Sequence, residues 1–133
     1  MKVEFDNSLV TGNAMIDDQH KELIGKIDKL VACCEEGGGK VEAIKMLDYL
    51  SDYTDFHFGE EEKLQEEVSY PAIEGHKAKH AEFKKSVEEL HEMLVEEEGP
   101  TDAFVAAVQK NVVDWLFDHI KNMDQALAAY VQK

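Results

Sequence analysis

The chain predicts an all-α protein, an antiparallel up-down-up-down four-helix bundle with an N-terminal arm. Three observations carry that expectation. Four long segments repeat apolar residues three and four positions apart, as one face of a helix does. Short runs of Gly, Pro and Ser separate them, and short loops between long amphipathic helices make antiparallel neighbours. The whole runs to 133 residues, the size of one ordinary domain, so residues 1–133 are expected to form a single unit around a single core.

Taken in order, residues 1–16 read as an irregular arm whose Phe5, Leu9 and Val10 could lie over the bundle. The first helix, about 17–36, carries His20, Leu23, Ile24, Ile27, Leu30, Val31 and Cys34 on one stripe, and Gly37-Gly38-Gly39 ends it. In the second, about 40–67, Ile44, Leu47, Leu50, Thr54, His57, Glu61 and Leu64 keep the stripe until Ser69-Tyr70-Pro71. The third, about 72–97, aligns Ile73, His76, His80, Phe83, Val87, Leu90 and Leu94, and Gly99-Pro100 stops it. Thr101 is then an N-cap for the fourth, about 102–131, with Val105, Val108, Val112, Leu116, His119, Met123 and Leu127.

Composition removes several function classes. Fourteen Lys and Arg stand against 29 Asp and Glu, a net charge of −15, so the surface repels nucleic-acid phosphates and anionic lipid. No nucleic acid and no membrane is expected as a partner. Hydrophobic residues make up 44%, enough for a packed interior, and no stretch approaches the roughly 18 apolar residues of a membrane span. The opening Met1 to Asp6 has no apolar run of the secretory kind, which points to the cytoplasm. Adjacent Cys33 and Cys34 would close no useful loop and are expected as free thiols.

The histidines carry the chemistry. Five of the six fall into a spaced pattern with two carboxylates: His20, His57 with Glu61, His76 with His80, and His119 with Asp124. Counting outward from the turns tests whether they meet. About a turn at Gly38, His20 lies 18 residues back and His57 lies 19 on. About Gly99, the midpoint of His76 and His80 is 21 residues back and His119 is 20 on. At about 1.5 Å per residue, all four helices deliver donors to one layer. His91 lies 11 residues beyond His80, on the order of 16 Å along the axis, and is spare. Imidazole suits first-row transition ions and a carboxylate can bridge two cations, so seven such donors make a two-metal pocket.

Spacing also governs presentation. Residues four apart project from one face on consecutive turns, which suits His57 with Glu61 and His76 with His80. His119 and Asp124 are five apart, which a regular helix sets about 140° apart. A π-type widening between them is therefore expected, since such bulges occur at functional sites.

This set of residues, with Ile16-Asp17-x-Gln19-His20 opening the first helix, resembles the hemerythrins, in particular the bacterial hemerythrins. The resemblance covers essentially the whole chain, and one departure is Phe5, where many bacterial relatives carry a tryptophan. It implies two irons in an oxo- or hydroxo-bridged centre. One takes His76, His80 and His119, the other His20 and His57, with Glu61, Asp124 and a solvent-derived oxygen between them. Three histidines and three bridges then fill one ion, while two histidines and the same bridges leave the other five-coordinate. Dioxygen is expected there, end-on as peroxide, in a non-enzymatic protein for oxygen storage, delivery or sensing. Trp115, Leu116, Phe56, Phe58 and Ile120 flank the ligands and could wall the oxygen pocket.

Other readings stand beside this one. A ferritin-like di-iron oxidase or peroxidase needs a Glu-x-x-His on each of two helices, and only Glu88-Glu89-Leu90-His91 fits, outside the donor layer. A module signalling oxygen or nitric oxide would need an output domain that the chain does not carry. Apolar residues beside the ligands are equally core. Gly59 either opens a gas path or lets helices pack closely, and Glu60 to Glu62 read as a solvated face with Glu61 the exception.

Overall fold

The computed structural model describes residues 3–37, 39–96 and 100–131. It contains four helical rods: α1 Ala14–Glu35, α2 Lys40–Glu67, α3 Ile73–Glu96, and α4, residues 102–131. α1 packs on α2, α2 on α3, α3 on α4, and α4 returns to α1, which closes an antiparallel four-helix bundle. The turn centre Gly38 and the stop at Gly99 lie outside the described residues.

α1 starts three residues earlier than its apolar stripe suggests, because Asn13 is its cap. The Asn13 side chain accepts from the Ile16 amide at 3.0 Å, satisfying one of the free donors of the first turn. Asp17 then folds the arm back, accepting from the Thr11 amide and hydroxyl and from the Gly12 amide. The arm is not wholly irregular: Asn7–Leu9 forms a 3-10 turn, and Leu9 is fully buried. Phe5 packs partly against the core. Val10, however, points outward, and its carbonyl instead accepts from the Gln125 side chain at 3.2 Å.

At the α2–α3 corner, Ser69 sits in the left-handed region at φ 53°. The Ser69 amide donates to Glu66 O and the Tyr70 amide to Gln65 O, which satisfies the last carbonyls of α2 in a Schellman turn. Thr101 caps α4 as expected, accepting from the Phe104 amide at 3.1 Å.

α4 is one rod of mixed pitch. The α-helical stretches Asp102–Val108, Trp115–His119 and Gln125–Val131 alternate with π-turns at Gln109–Asp114 and Ile120–Asp124. The first π-turn has no forerunner in the sequence pattern beyond the adjacent valines. Val112 and Val113 are both buried in it, and Gln109 bridges to Asp114 five residues on.

The bundle is divided along its axis. Toward the α1–α2 turn the interior is apolar, built from side chains such as Leu30, Leu47, Leu90, Leu94 and Phe104, all at most 1% exposed. At the opposite end lie the start of α1, the end of α2, the start of α3 and the later part of α4. That end buries polar side chains instead. Among the described residues no helix is long and apolar enough to cross a membrane.

Candidate metal centre

Each rod contributes donors to the polar end: α1 His20, α2 His57 and Glu61, α3 His76 and His80, α4 His119 and Asp124. All seven are at most 5% exposed. On α2 and α3 the four-residue spacing sets the pairs one above the other. On α4 the π-turn at Ile120–Asp124, with the Gln125 amide donating to Ile120 O, widens the helix between the two donors. The i to i+5 bond that their spacing calls for is thus present, and it turns Asp124 into the interior.

The two carboxylates organise the rest. Glu61 Oε1 faces His76 Nε2 at 2.8 Å and His80 Nε2 at 3.4 Å. Its other oxygen, Oε2, faces His57 Nε2 at 3.1 Å and His20 Nε2 at 3.9 Å. Asp124 does the same: Oδ1 faces His76 at 2.8 Å and His119 at 3.2 Å, and Oδ2 faces His20 at 3.0 Å. Each of these five histidines therefore turns Nε2 inward, and each carboxylate turns one oxygen to imidazoles of the group His76, His80 and His119 and the other to the group His20 and His57. Donor atoms of Glu61, His76, His80, His119 and Asp124 lie within 4.8 Å of one another, and so do those of His20, His57, Glu61 and Asp124.

His76 Nε2 meets Asp124 Oδ1 at 2.8 Å and His119 Nε2 at 3.0 Å, but most of the other donors point at common centres. Among the described residues, the Nε2 atoms of His20, His57 and His80 and both Glu61 oxygens have no aligned hydrogen-bond partner. Buried polar atoms left in that state are costly, and a cation in each group would satisfy them. The residues present fit two metal ions. The electrostatics agree. Burial and the nearby Asp124 charge push the Glu61 carboxyl up, but the imidazoles of His57, His76 and His80 at its oxygens outweigh them and bring it down to about 2. Asp124 is likewise pushed up by burial and pulled well below the usual carboxylate range by His119, His20 and His76. Burial disfavours charge on His76, yet the hydrogen bonds to Asp124 and Glu61 win and raise it to about 9. A site holding two anionic carboxylates gathers positive charge, first as protons and better as cations.

The profile of the Hemerythrin HHE cation binding domain matches residues 11–131. This chain belongs to the hemerythrin family. It is 31% identical to a bacteriohemerythrin of Stenotrophomonas maltophilia over 96% of this chain and 80% of that one. A bacteriohemerythrin of Campylobacter jejuni is 27% identical over 91% and 89%. Among solved structures, a leucine-to-alanine point mutant of a hemerythrin superposes with a TM-score of 0.84 at 25% identity over 100% of both chains. A wild-type hemerythrin superposes with a TM-score of 0.79 at 27% identity over 92% of each.

Around the donors, this member of the hemerythrin family adds further contacts. His57 Nδ1 donates to Gln19 Oε1 at 2.8 Å and His80 Nδ1 donates to Glu62 Oε2 at 2.9 Å. The Gln65 carboxamide lies against His76 Nδ1. The oxygen acceptors on His57 and His80 fix ring and tautomer so that Nε2 is free to bind, whereas His76 meets the amide nitrogen of Gln65. Glu62 is therefore not simply part of a solvated face. Glu62 is next to Glu61 and turned about 100° from it, where no stripe marks it, whereas Gln65, four residues after Glu61 and fully buried, continues the His57/Glu61 face and was marked by that spacing. Gln19 stood inside a recognisable motif.

The expected pocket wall divides. Phe58 stacks on His80 with ring centres 3.8 Å apart and planes 2° apart, and Trp115 stacks on His119 at 4.6 Å and 14°. Leu116 and Ile120 are fully buried. Phe56 is not a wall residue: it is 51% exposed and rests on Tyr53, because the position before His57 lies about 100° round the helix. Gly59 serves neither reading given it, since it faces outward and a Cβ there would meet nothing within 4 Å. His91 stays outside the cluster, half-exposed at 3.6 Å from Asp48. Cys33 and Cys34 are free and also outside it. Burial, with Cys33 and Glu35 close by, pushes the Cys34 thiol up to about 11, which keeps it an unreactive thiol.

Proposed function

We propose that the chain is a non-heme di-iron protein that binds dioxygen reversibly and is not an enzyme. The observation that carries this is the two-sidedness of Glu61 and Asp124, which both belong to the donor group of His76, His80 and His119 and to that of His20 and His57, with opposite oxygens turned to the two. Two cations are needed to use that arrangement, and iron is what membership of the hemerythrin family supports. His76, His80 and His119 would hold one ion, His20 and His57 the other, with Glu61 and Asp124 shared. Bound there, the iron pair would supply the electrons that make dioxygen binding strong and reversible.

The protein's own part is to hold, orient and exclude. The shared carboxylates keep the two donor groups at a fixed separation. The group of two imidazoles is one donor short of the other, which is where a small gas would enter. Five neutral imidazoles with only two carboxylates give less negative charge than a carboxylate-rich site, which favours binding over oxidation of other molecules. Burial of all seven donors, with Phe58, Leu116 and Ile120 packed in the same interior, keeps out the bulk water that would promote loss of electrons from the pair.

An oxidase of the ferritin type finds no second support. Its only Glu-x-x-His, Glu88 with His91, lines a surface groove with Asp48 and Glu92. The test is metal analysis after anaerobic ferrous loading, followed by spectra on cycling between argon and air. Two irons per chain and a reversible air-dependent absorption band support a carrier. Steady consumption of added reductant with no reversible band would replace this reading with an enzyme.

A further inference from the structure

We infer that Glu62 is a positioning residue that makes the two halves of the centre electronically unequal, by placing a charged partner behind His80 where its counterpart His57 has a neutral one. The inference rests on the di-iron reading above and deepens it.

Glu62 follows Glu61 directly, so it projects about 100° away round α2 and reaches the edge of the donor layer rather than its centre. Its side chain is 27% exposed, while that of His80 is 1% exposed. It thus keeps one foot in solvent and one on a buried ring. An ionised carboxylate can only accept, so the 2.9 Å contact must be donated by His80 Nδ1–H. That fixes the tautomer and leaves Nε2 as the lone-pair donor, aimed at the inner group beside Glu61 Oε1. Phe58 lies flat on the same ring and prevents it from turning. Lys77, which faces Glu62, is already bonded to Glu66 at 3.2 Å.

Across the layer the geometry is repeated with different chemistry. His57 Nδ1 donates at 2.8 Å to the amide oxygen of Gln19, an acceptor without charge. A carboxylate behind a ligating imidazole raises its basicity and so its donation to a metal, more than an amide does. The ion among His76, His80 and His119 is therefore the more tightly held and the more stabilised when oxidised. The ion between His20 and His57, with fewer imidazoles and a neutral partner, is the more loosely held.

The test uses the full chain and two near-isosteric changes, Glu62→Gln and Gln19→Glu. Affinity is read by titrating cobalt(II) against a competing chelator, without dioxygen, and the midpoint potential is read by spectroelectrochemistry on the iron-loaded protein. The unaltered chain should take two ions with distinct affinities. Glu62→Gln should weaken the tighter one by about 10- to 100-fold and raise the potential. Gln19→Glu should tighten the weaker one and lower the potential. Unaltered affinity and potential in Glu62→Gln, with two ions still bound, overturns the role of Glu62 and leaves the di-iron reading standing. Failure of the unaltered chain to take two ions overturns that reading itself, and this inference with it.

Discussion

The two halves of the donor layer use the same atoms and are held in different ways. On the side of α3 and the later part of α4, His76, His80 and His119 are backed by rings and by hydrogen-bonding side chains: Phe58 on His80, Trp115 on His119, Glu62 and Gln65 on outer nitrogens. On the side of α1 and the end of α2, His57 has Gln19, and His20 Nδ1, like His119 Nδ1 on the other side, has no hydrogen-bond partner among the described residues, but no aromatic ring stacks on His20 as Trp115 does on His119. Their rings meet only edge to face, 4.8 Å apart. One half is a rigid socket and the other is a sparser one, and the two shared carboxylates join them. The lesson is that a bridge need not be symmetric to be stable, because one well-supported half can hold the position of the other.

The largest effect should come from removing the joint. Glu61→Ala takes an oxygen from both halves and is expected to abolish tight binding of both ions, measured as metal per chain after desalting. His20→Ala or His57→Ala should spare the socket of three imidazoles, keep about one ion, and lose the air-dependent band. His91→Ala should change neither reading. If His91→Ala alone removed the band, the assignment of layers would be wrong.

Next is the aromatic support. Phe58→Ala opens a cavity in a residue only 1% exposed, and it should cost about 3–5 kcal/mol in urea unfolding of the metal-free protein. Phe56→Ala, two residues away and half-exposed, should stay within about 0.5 kcal/mol. Equal losses would mean that the two rings do not differ as their positions require.

The metal-free protein offers a third comparison, by pH. His76 is held at about 9 in the folded chain against an ordinary 6.5. Its contribution to stability is therefore complete below about pH 6.5 and is lost as pH rises through about 9. Glu61 runs the other way. At about 2 against an ordinary 4.5, it contributes fully above about pH 4.5 and loses that contribution as pH falls through about 2. The melting temperature should peak between about pH 4.5 and 6.5. Zinc loading should remove the alkaline decline, since a cation then replaces the proton that His76 would give up. A metal-free melting temperature that is flat from pH 6 to 9 would contradict this balance.

The bundle, and the meeting of seven donors in one layer, were legible because both are consequences of period and count. Residues four apart share a face, and equal distances from a turn share a height. The π-turn at Ile120–Asp124 was legible for the same reason: five-residue spacing between two inward donors admits few other geometries. What periodicity does not encode is the lateral neighbour. Glu62 reaches His80 sideways from α2 to α3, and a glutamate reads the same in sequence whether it faces a histidine or water. The π-turn at Gln109–Asp114 was hidden because Val112 and Val113 look like ordinary core on either pitch. Phe56 adjoins His57 in sequence but not in space, because neighbouring helix positions point about 100° apart and this one points to solvent.

Gly59 yields the smallest and cleanest test, because it separates the inner face of α2 from the outer. It lies between Phe58 and Glu61 in sequence, yet it is exposed and has open space where a side chain would go. A glycine inside an exposed helix costs about 0.8–1.0 kcal/mol relative to alanine, because the unfolded chain has more freedom to lose. Gly59→Ala should therefore stabilise the metal-free protein by about 1 kcal/mol in urea unfolding, with no change in metal content or in the air-dependent band. A close helix contact at this position would reverse the sign, because the added methyl group would clash, and a gas path through it would slow oxygen entry without that reversal. A loss of stability or slower oxygen binding in Gly59→Ala would place this face of α2 inside the machinery after all.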